Sequence, residues 1–176
     1  VYDPACGTGG MFIQSNKYSG KKMKFVGQEQ NYKTIMLAYM NGVLHGLDLQ
    51  IAHGDTLLND LLDELRADYV ISNPPFNMKD WGSEHLLPSD PRVFGKINKN
   101  NANYMRIQQF IYHLKDTGKA GLVISNGALT SSNEADLDTR KKMIEQNIVD
   151  CVVKLRDKMF LGKAIPSAMI FLNIGR

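Results

Sequence analysis

The chain has 176 residues, 43% of them hydrophobic, and a formal net charge of +3, enough for one domain with a substantial core. No apolar run is long enough to span a bilayer, and the first residues do not read as a charged-then-apolar signal segment. The only cysteines, Cys6 and Cys151, lack metal-ligand spacing and form no disulfide framework, so a reduced, cytoplasmic setting without a metal site is the expectation. The charge is uneven: residues 140–176 hold 8 Lys/Arg against 3 Asp/Glu, through Arg140, Lys141, Lys142, Lys154, Arg156, Lys158, Lys163 and Arg176. That excess fits either an anionic partner such as nucleic acid or a solvated basic face.

Short apolar runs alternate with helix-like stretches. "VYD" at 1–3 reads as the tail of a first strand, and "GMFIQSNKY" begins a helix just after a run of glycines. "KFVGQE" at 24–29 is a second strand. From Tyr32 to His45, Ile35, Tyr39 and Val43 recur at helical spacing, with Gly46 as a stop. "LQIAHGD" at 49–55 is a third strand, Leu57 to Arg66 a short helix, and "ADYVISN" at 67–73 a fourth strand that ends at a double proline. Residues 77–102 show no periodicity and are rich in Asn, Pro and Gly; a stretch of that kind is functional or mobile. Tyr104, Ile107, Ile111 and Leu114 mark one helix face, "AGLVISNG" at 120–127 a fifth strand, and Leu137 to Gln146 another helix. "IVDCVVKL" and "SAMIFLNI" complete seven strands, and the absence of a helix pattern between them allows an antiparallel pair.

This alternation predicts a doubly wound α/β fold, Rossmann-like, with a mostly parallel seven-stranded sheet whose last strand is antiparallel. Such sheets bind ligands beyond the carboxyl ends of their strands, near the topological switch point. Asp3, Glu29, Asp55 and Asn73 close the first four strands.

Each end carries a candidate. Glycines 7, 9 and 10 of "DPACGTGG" let backbone approach a ligand, but neither the Walker nor the G-x-G-x-x-G pattern is present. The turn is either a tight strand–helix connection or a site where Asp3 faces an amine or sulfonium. Glu29 is placed to hold ribose hydroxyls, or is an ordinary surface glutamate. Asp55 accepts from an adenine amino group or caps the helix at Leu57. "SNPPF" is the sharpest signal. Two prolines cannot continue a central strand, and they aim the Pro74 carbonyl beside the Asn73 amide. Two such acceptors bind both hydrogens of a planar NH2 group. Phe76 offers a face on which a base stacks.

"DPACGTGG" with "NPPF" resembles the amino-group DNA methyltransferases that use S-adenosylmethionine, a class I methyltransferase fold. "VYDPACGTGGMFI", "GQEQNYKTIMLAYMNGVLHG", "GDTL", "NYMRIQQFIYHLKDTGKAGLVISNGAL" and "MFLGKAIPSAMIFL" look closest to the modification (M) subunit of type I restriction-modification systems, over nearly the whole chain. The resemblance implies N6-adenine methylation of DNA, with a specificity subunit and a restriction subunit as partners. It implies that Asp3, Pro4, Ala5, Gly7, Thr8, Gly9 and Gly10 form the cofactor turn, that Glu29 holds the ribose, and that Asp55 holds the cofactor's adenine. Asn73, Pro74, Pro75 and Phe76 would hold an adenine flipped from the duplex, and Phe160 would stack on its second face.

Departures accompany the match. The family's N-terminal helical region and its Phe-x-Thr-Pro-like segment are missing, as are the helical segments that follow the catalytic core, and Arg156 stands where the family often has proline. The expectation is therefore a methyltransferase catalytic domain over residues 1–176, from a longer M subunit. Two other readings remain: a protein glutamine methyltransferase, which uses N-P-P-aromatic on a side-chain amide, and a non-catalytic scaffold of the same fold.

Overall fold

The computed structural model describes residues 1–156, 159 and 165–175. Seven strands form one sheet: β1 (Tyr2–Asp3), β2 (Phe25–Glu29), β3 (Leu49–His53), β4 (Ala67–Ser72), β5 (Leu114–Ser125), β6 (Val149–Lys154) and β7 (Ser167–Asn173). Their order is β3-β2-β1-β4-β5-β7-β6. The pairs from β3 to β5 are parallel, whereas β7 runs antiparallel to both β5 and β6. The predicted α/β class, strand count and antiparallel last strand are all present. The helices are α1 (Gly10–Ser19), α2 (Tyr32–Leu44), α3 (Asn103–Tyr112), α4 (Asn126–Leu129) and α5 (Glu134–Glu145). Of these, α4 has no counterpart in the sequence pattern. Among the described residues no helix is long and apolar enough to cross a membrane.

Adjacent residues of β2 enter different cores, because side chains alternate across a strand. Phe25 joins Cys6 and Phe12 beside α1 and α2. Val26 lies against the larger cluster of Tyr2, Val70, Ile107, Phe110 and Leu122 on the α3 side. β1 is short but central, with Tyr2 opposite Val26 on one side and Val70 on the other. The chain turns from β3 across to β4 on the far side of β1, so the switch point lies between β1 and β4. The glycine turn and the "NPPF" segment leave the sheet side by side there.

The helix expected over Leu57–Arg66 does not form; turns take its place. Side chains from elsewhere occupy the backbone groups that a helix would need. The Gln28 amide donates to Asn59 O at 2.7 Å and accepts from Leu61 N at 3.2 Å. Arg92 donates to Thr56 O at 2.8 Å and Leu57 O at 3.1 Å, and Gln109 donates to Thr56 O at 3.1 Å. Both ring nitrogens of the fully buried His113 face acceptors, Leu65 O at 2.9 Å and Asp60 Oδ2 at 2.7 Å. A buried backbone group needs one partner, and here the partner is tertiary.

Residues 77–102 contain one 3-10 turn, at Ser83–His85, and are otherwise irregular, as the composition predicts. They are nevertheless tied to the rest of the domain by specific contacts. Trp81 is buried with Leu57, Leu86 and Met105 and donates from Nε1 to Asn98 O at 3.2 Å. Asn98 in turn reaches Asp136 on α5 at 2.9 Å. Backbone closes the segment where Ala102 N donates to Met78 O at 3.1 Å.

Arg92 is the keystone of both loops, since it also makes paired contacts with the Asp90 carboxylate at 2.9 and 2.7 Å. Arg92→Met leaves the Asp90 carboxylate and Leu57 O without their buried guanidinium donor and Thr56 O with Gln109 alone. It should cost about 3–5 kcal/mol of stability, read as a lowered urea midpoint.

Candidate functional site

One cavity of about 450 Å³ opens at the carboxyl ends of β1 to β4. Its wall joins Pro4, Ala5 and Gly7 of the first turn to Glu29 and Gln30 at the end of β2, to Gly54, Asp55 and Thr56 after β3, and to Asn73–Phe76 after β4. Four separate stretches of sequence, singled out for different chemistry, thus share one wall. Asp3, Thr8, Gly9 and Gly10 are not part of that lining. Phe160 lies outside the described residues.

The first turn is shaped by close approach. Gly7 and Gly9 have φ of 54° and 79°, the left-handed region that glycine enters without strain. At Gly27 on β2 a Cβ would lie 2.8 Å from Cys6 Sγ, so the turn can lie on the sheet only because that strand residue has no side chain. A Cβ at Gly7, by contrast, would meet no atom within 4 Å, and the cavity has room beside it.

Glu29 accepts from Gly7 N at 3.2 Å through Oε2 and from Asn31 N at 2.9 Å through Oε1. It bridges the glycine turn and the start of α2, whose N-cap Asn31 accepts from Lys33 N and Thr34 N. Each carboxylate oxygen keeps a further lone pair for a hydroxyl donor. Asp55 Oδ1 accepts from Leu57 N at 3.0 Å; the capping geometry is present, but it stabilises a turn and not the expected helix.

Asp3 is 1% exposed, and its Oδ1 accepts from the Ala5 amide at 3.0 Å and the Ser72 hydroxyl at 2.6 Å. It ties the end of β1 to the end of β4. Burial pushes its carboxyl up to about 7, against the lowering effect of those two donors, and the nearby Glu29 charge adds to the rise.

Beyond the prolines, Asn77 is a non-glycine residue at φ 54°. Its backbone N–H donates to Asn103 Oδ1 at 3.0 Å, and its Oδ1 accepts from Asn103 Nδ2 at 2.9 Å and Ser125 Oγ at 3.1 Å. That strained residue is held by reciprocal bonds to the first turn of α3, which fixes the exit of "NPPF". Pro74 is buried, Phe76 half-buried, and Asn73 exposed.

Sequence reasoning did not assign Arg106, which lines the same cavity and is the basic residue of its wall. The available signal was that Arg106 is the one charged residue in Asn103–Tyr112. The basic excess of the last fifth is partly consumed by structure. Arg140 donates to Ala128 O and Ser131 O, Lys142 donates to Phe94 O, and Lys141 pairs with Glu145. Lys154 and Arg156 are exposed, while Lys158, Lys163 and Arg176 lie outside the described residues.

A Rossmann-like sheet with a glycine turn after β1, a carboxylate at the end of β2 and an Asn-Pro-Pro-Phe wall at its switch point defines a class I methyltransferase fold. The N-6 DNA Methylase family model matches residues 1–176, and the chain belongs to that family. It is 35% identical to the type I restriction enzyme HindI methylase subunit of Haemophilus influenzae, over 98% of this chain and 41% of that one. It is 33% identical to the MjaIX methylase subunit of Methanocaldococcus jannaschii, over 98% of this chain and 33% of that one. The solved structure of a type I restriction-modification methyltransferase subunit from Streptococcus thermophilus superposes with a TM-score of 0.92 at 32% identity, covering 99% of this chain and 39% of that one. The chain therefore spans roughly two fifths or less of the length of these relatives.

The Asp3 carboxyl makes stability depend on pH. Its ordinary value is 3.8, so between about pH 4 and 7 the folded protein keeps a proton that the unfolded chain has released. Stability therefore falls as pH rises through that window, by up to about 1.4 kcal/mol per unit. Asp3→Asn keeps an oxygen for both donors and should flatten that slope, measured as urea midpoints across the window.

Proposed function

We propose that the cavity takes S-adenosylmethionine and that the chain is the catalytic domain of a DNA methyltransferase acting on adenine N6. In this reading it is the core of a type I modification subunit, working on DNA with a specificity subunit and a restriction subunit. The observation that carries it is the shared wall: Asn73–Phe76 bounds the same cavity as Glu29 and Asp55. The relatives are named as type I methylase subunits, which favours DNA over a protein amide as the methyl acceptor.

The residues present fit the cofactor. Glu29 has lone pairs left for ribose hydroxyls, Asp55 an oxygen for the adenine amino group, and the open space at Gly7 accepts a ligand against backbone. Two carboxylates on the wall, Glu29 and Asp55, suit a ligand with a sulfonium and an ammonium. S-adenosylmethionine supplies an electrophilic methyl group when bound.

The protein's own task is to make a poor nucleophile attack. An adenine amino nitrogen has its lone pair delocalised into the ring. The Asn73 amide oxygen and the Pro74 carbonyl accept its two N–H hydrogens, which favours a pyramidal nitrogen with its lone pair turned to the methyl group. As positive charge develops on that nitrogen both bonds strengthen, so the pair stabilises the transition state more than the ground state. Phe76 packs on the face of the base, and its worth there is that of a stacking platform. The buried Pro74 and the Asn77–Asn103 lock hold the acceptors in place before the base arrives.

Asn73→Ala should lower single-turnover methyl transfer to duplex DNA by the assembled enzyme about 100-fold or more, in line with loss of one preorganised group. Calorimetry should find S-adenosylmethionine affinity nearly unchanged. Transfer at the normal rate would overturn the assignment of Asn73, and transfer to a glutamine side chain but not to DNA would overturn the substrate.

A further inference from the structure

Arg106 stands in the first turn of α3, is 7% exposed, and forms part of the cavity wall. A guanidinium has five N–H donors and no acceptor. Its Nη2 reaches the Met78 sulfur at 2.9 Å, a weak acceptor, and its Nε is buried without a partner. The contrast is Arg92, which is equally buried and meets two backbone carbonyls and both oxygens of Asp90. A buried cation short of acceptors is costly to keep, and here it faces a ligand cavity.

Its place along that cavity follows from α3. Gln109, three residues on and on the same helix face, donates from Nε2 to Thr56 O at 3.1 Å, so Arg106 enters the wall on the side where α3 meets the Asp55–Thr56 stretch. Burial holds Arg106 below the usual arginine value, and Asp55 is first among the carboxylates that oppose this. Asp55 marks the adenine end of a bound cofactor, and the glycine turn after Asp3 its methionine end.

We propose that Arg106 is a nucleobase-binding residue of the cofactor pocket, its planar guanidinium lying against the adenine ring; this rests on the reading of the cavity as an S-adenosylmethionine site. A guanidinium is planar and weakly hydrated on its faces, so it stacks on an aromatic ring where an ammonium cannot. The adenine end is neutral, so the arginine does not oppose the sulfonium and ammonium at the other end. Asp55 then serves twice, accepting from the adenine amino group and balancing the arginine charge.

The test is titration calorimetry on the full chain with two probes. S-adenosylhomocysteine carries the amino-acid end, and 5′-methylthioadenosine keeps adenine and ribose without it. Arg106→Gln should weaken both by the same factor, about three- to thirty-fold for a desolvated cation–π contact. Arg106→Lys, which keeps the charge and loses the plane, should weaken both likewise, with thermal melting confirming that each variant is folded. Loss confined to S-adenosylhomocysteine would move Arg106 to the methionine end and overturn the proposal. So would unchanged affinity in either folded variant. If the unmutated chain takes up neither probe, the cofactor reading itself fails and the role of Arg106 falls with it.

Discussion

The Asp3 carboxyl, buried between the ends of β1 and β4, is the junction on which the site depends. One of its oxygens takes the Ser72 hydroxyl and the Ala5 amide together. It therefore joins the strand that launches the glycine turn to the strand that launches the prolines, across the point where the sheet changes direction. β1 is only two residues long, and backbone pairing alone gives it little to hold β4 in register. Burying a carboxyl is unfavourable for its charged form, which is why its proton is held up toward neutral pH. The same burial keeps water from competing for the two bonds.

Around that junction the polypeptide uses side chains in place of regular structure. The stretch between β3 and β4 is neither helix nor free loop, because Gln28, Arg92, Gln109 and His113 take up its polar groups from four different directions. The consequence reaches the cavity directly. Gly54, Asp55 and Thr56 open this stretch and form one side of the wall, so their positions are set by a buried polar network and not by helix geometry. Residues 77–102 are ordered by the same network through Arg92 and by the Trp81 cluster, and they bring α3 and Arg106 to the opposite side.

The wall is thus electrostatically mixed, with Glu29 and Asp55 facing Arg106. The carboxylates are well supplied with donors from backbone N–H groups. The arginine is not, and the asymmetry makes it the residue whose bonding a ligand changes most. A basic surface, by contrast, is less prominent than the composition implies. Arg140 and Lys142 are spent on carbonyls at the ends of α4 and within residues 77–102, which ties the last fifth of the chain to the site instead of leaving it as a separate patch.

Much of this was legible in the residues themselves. Alternation of apolar runs with helical periods is a local property, and it identified seven strands, the parallel majority and the antiparallel end. Glycines, prolines and strand-end carboxylates announce themselves because each answers a backbone constraint that few other residues meet, so the four stretches that form the cavity could be singled out before they were seen together. What the sequence could not decide were outcomes of competition between distant groups. Leu57–Arg66 has an acceptable helical pattern, and it loses to Gln28 and Arg92, which are 29 and 35 residues from Leu57 in the chain. Asp3 reads either as part of a tight strand–helix turn or as a ligand-facing acid, and only the fold reveals that Ser72 and Ala5 share its Oδ1. Arg106 carries no motif at all. Its meaning comes from burial without an oxygen partner, a property of the folded surroundings and not of the residue.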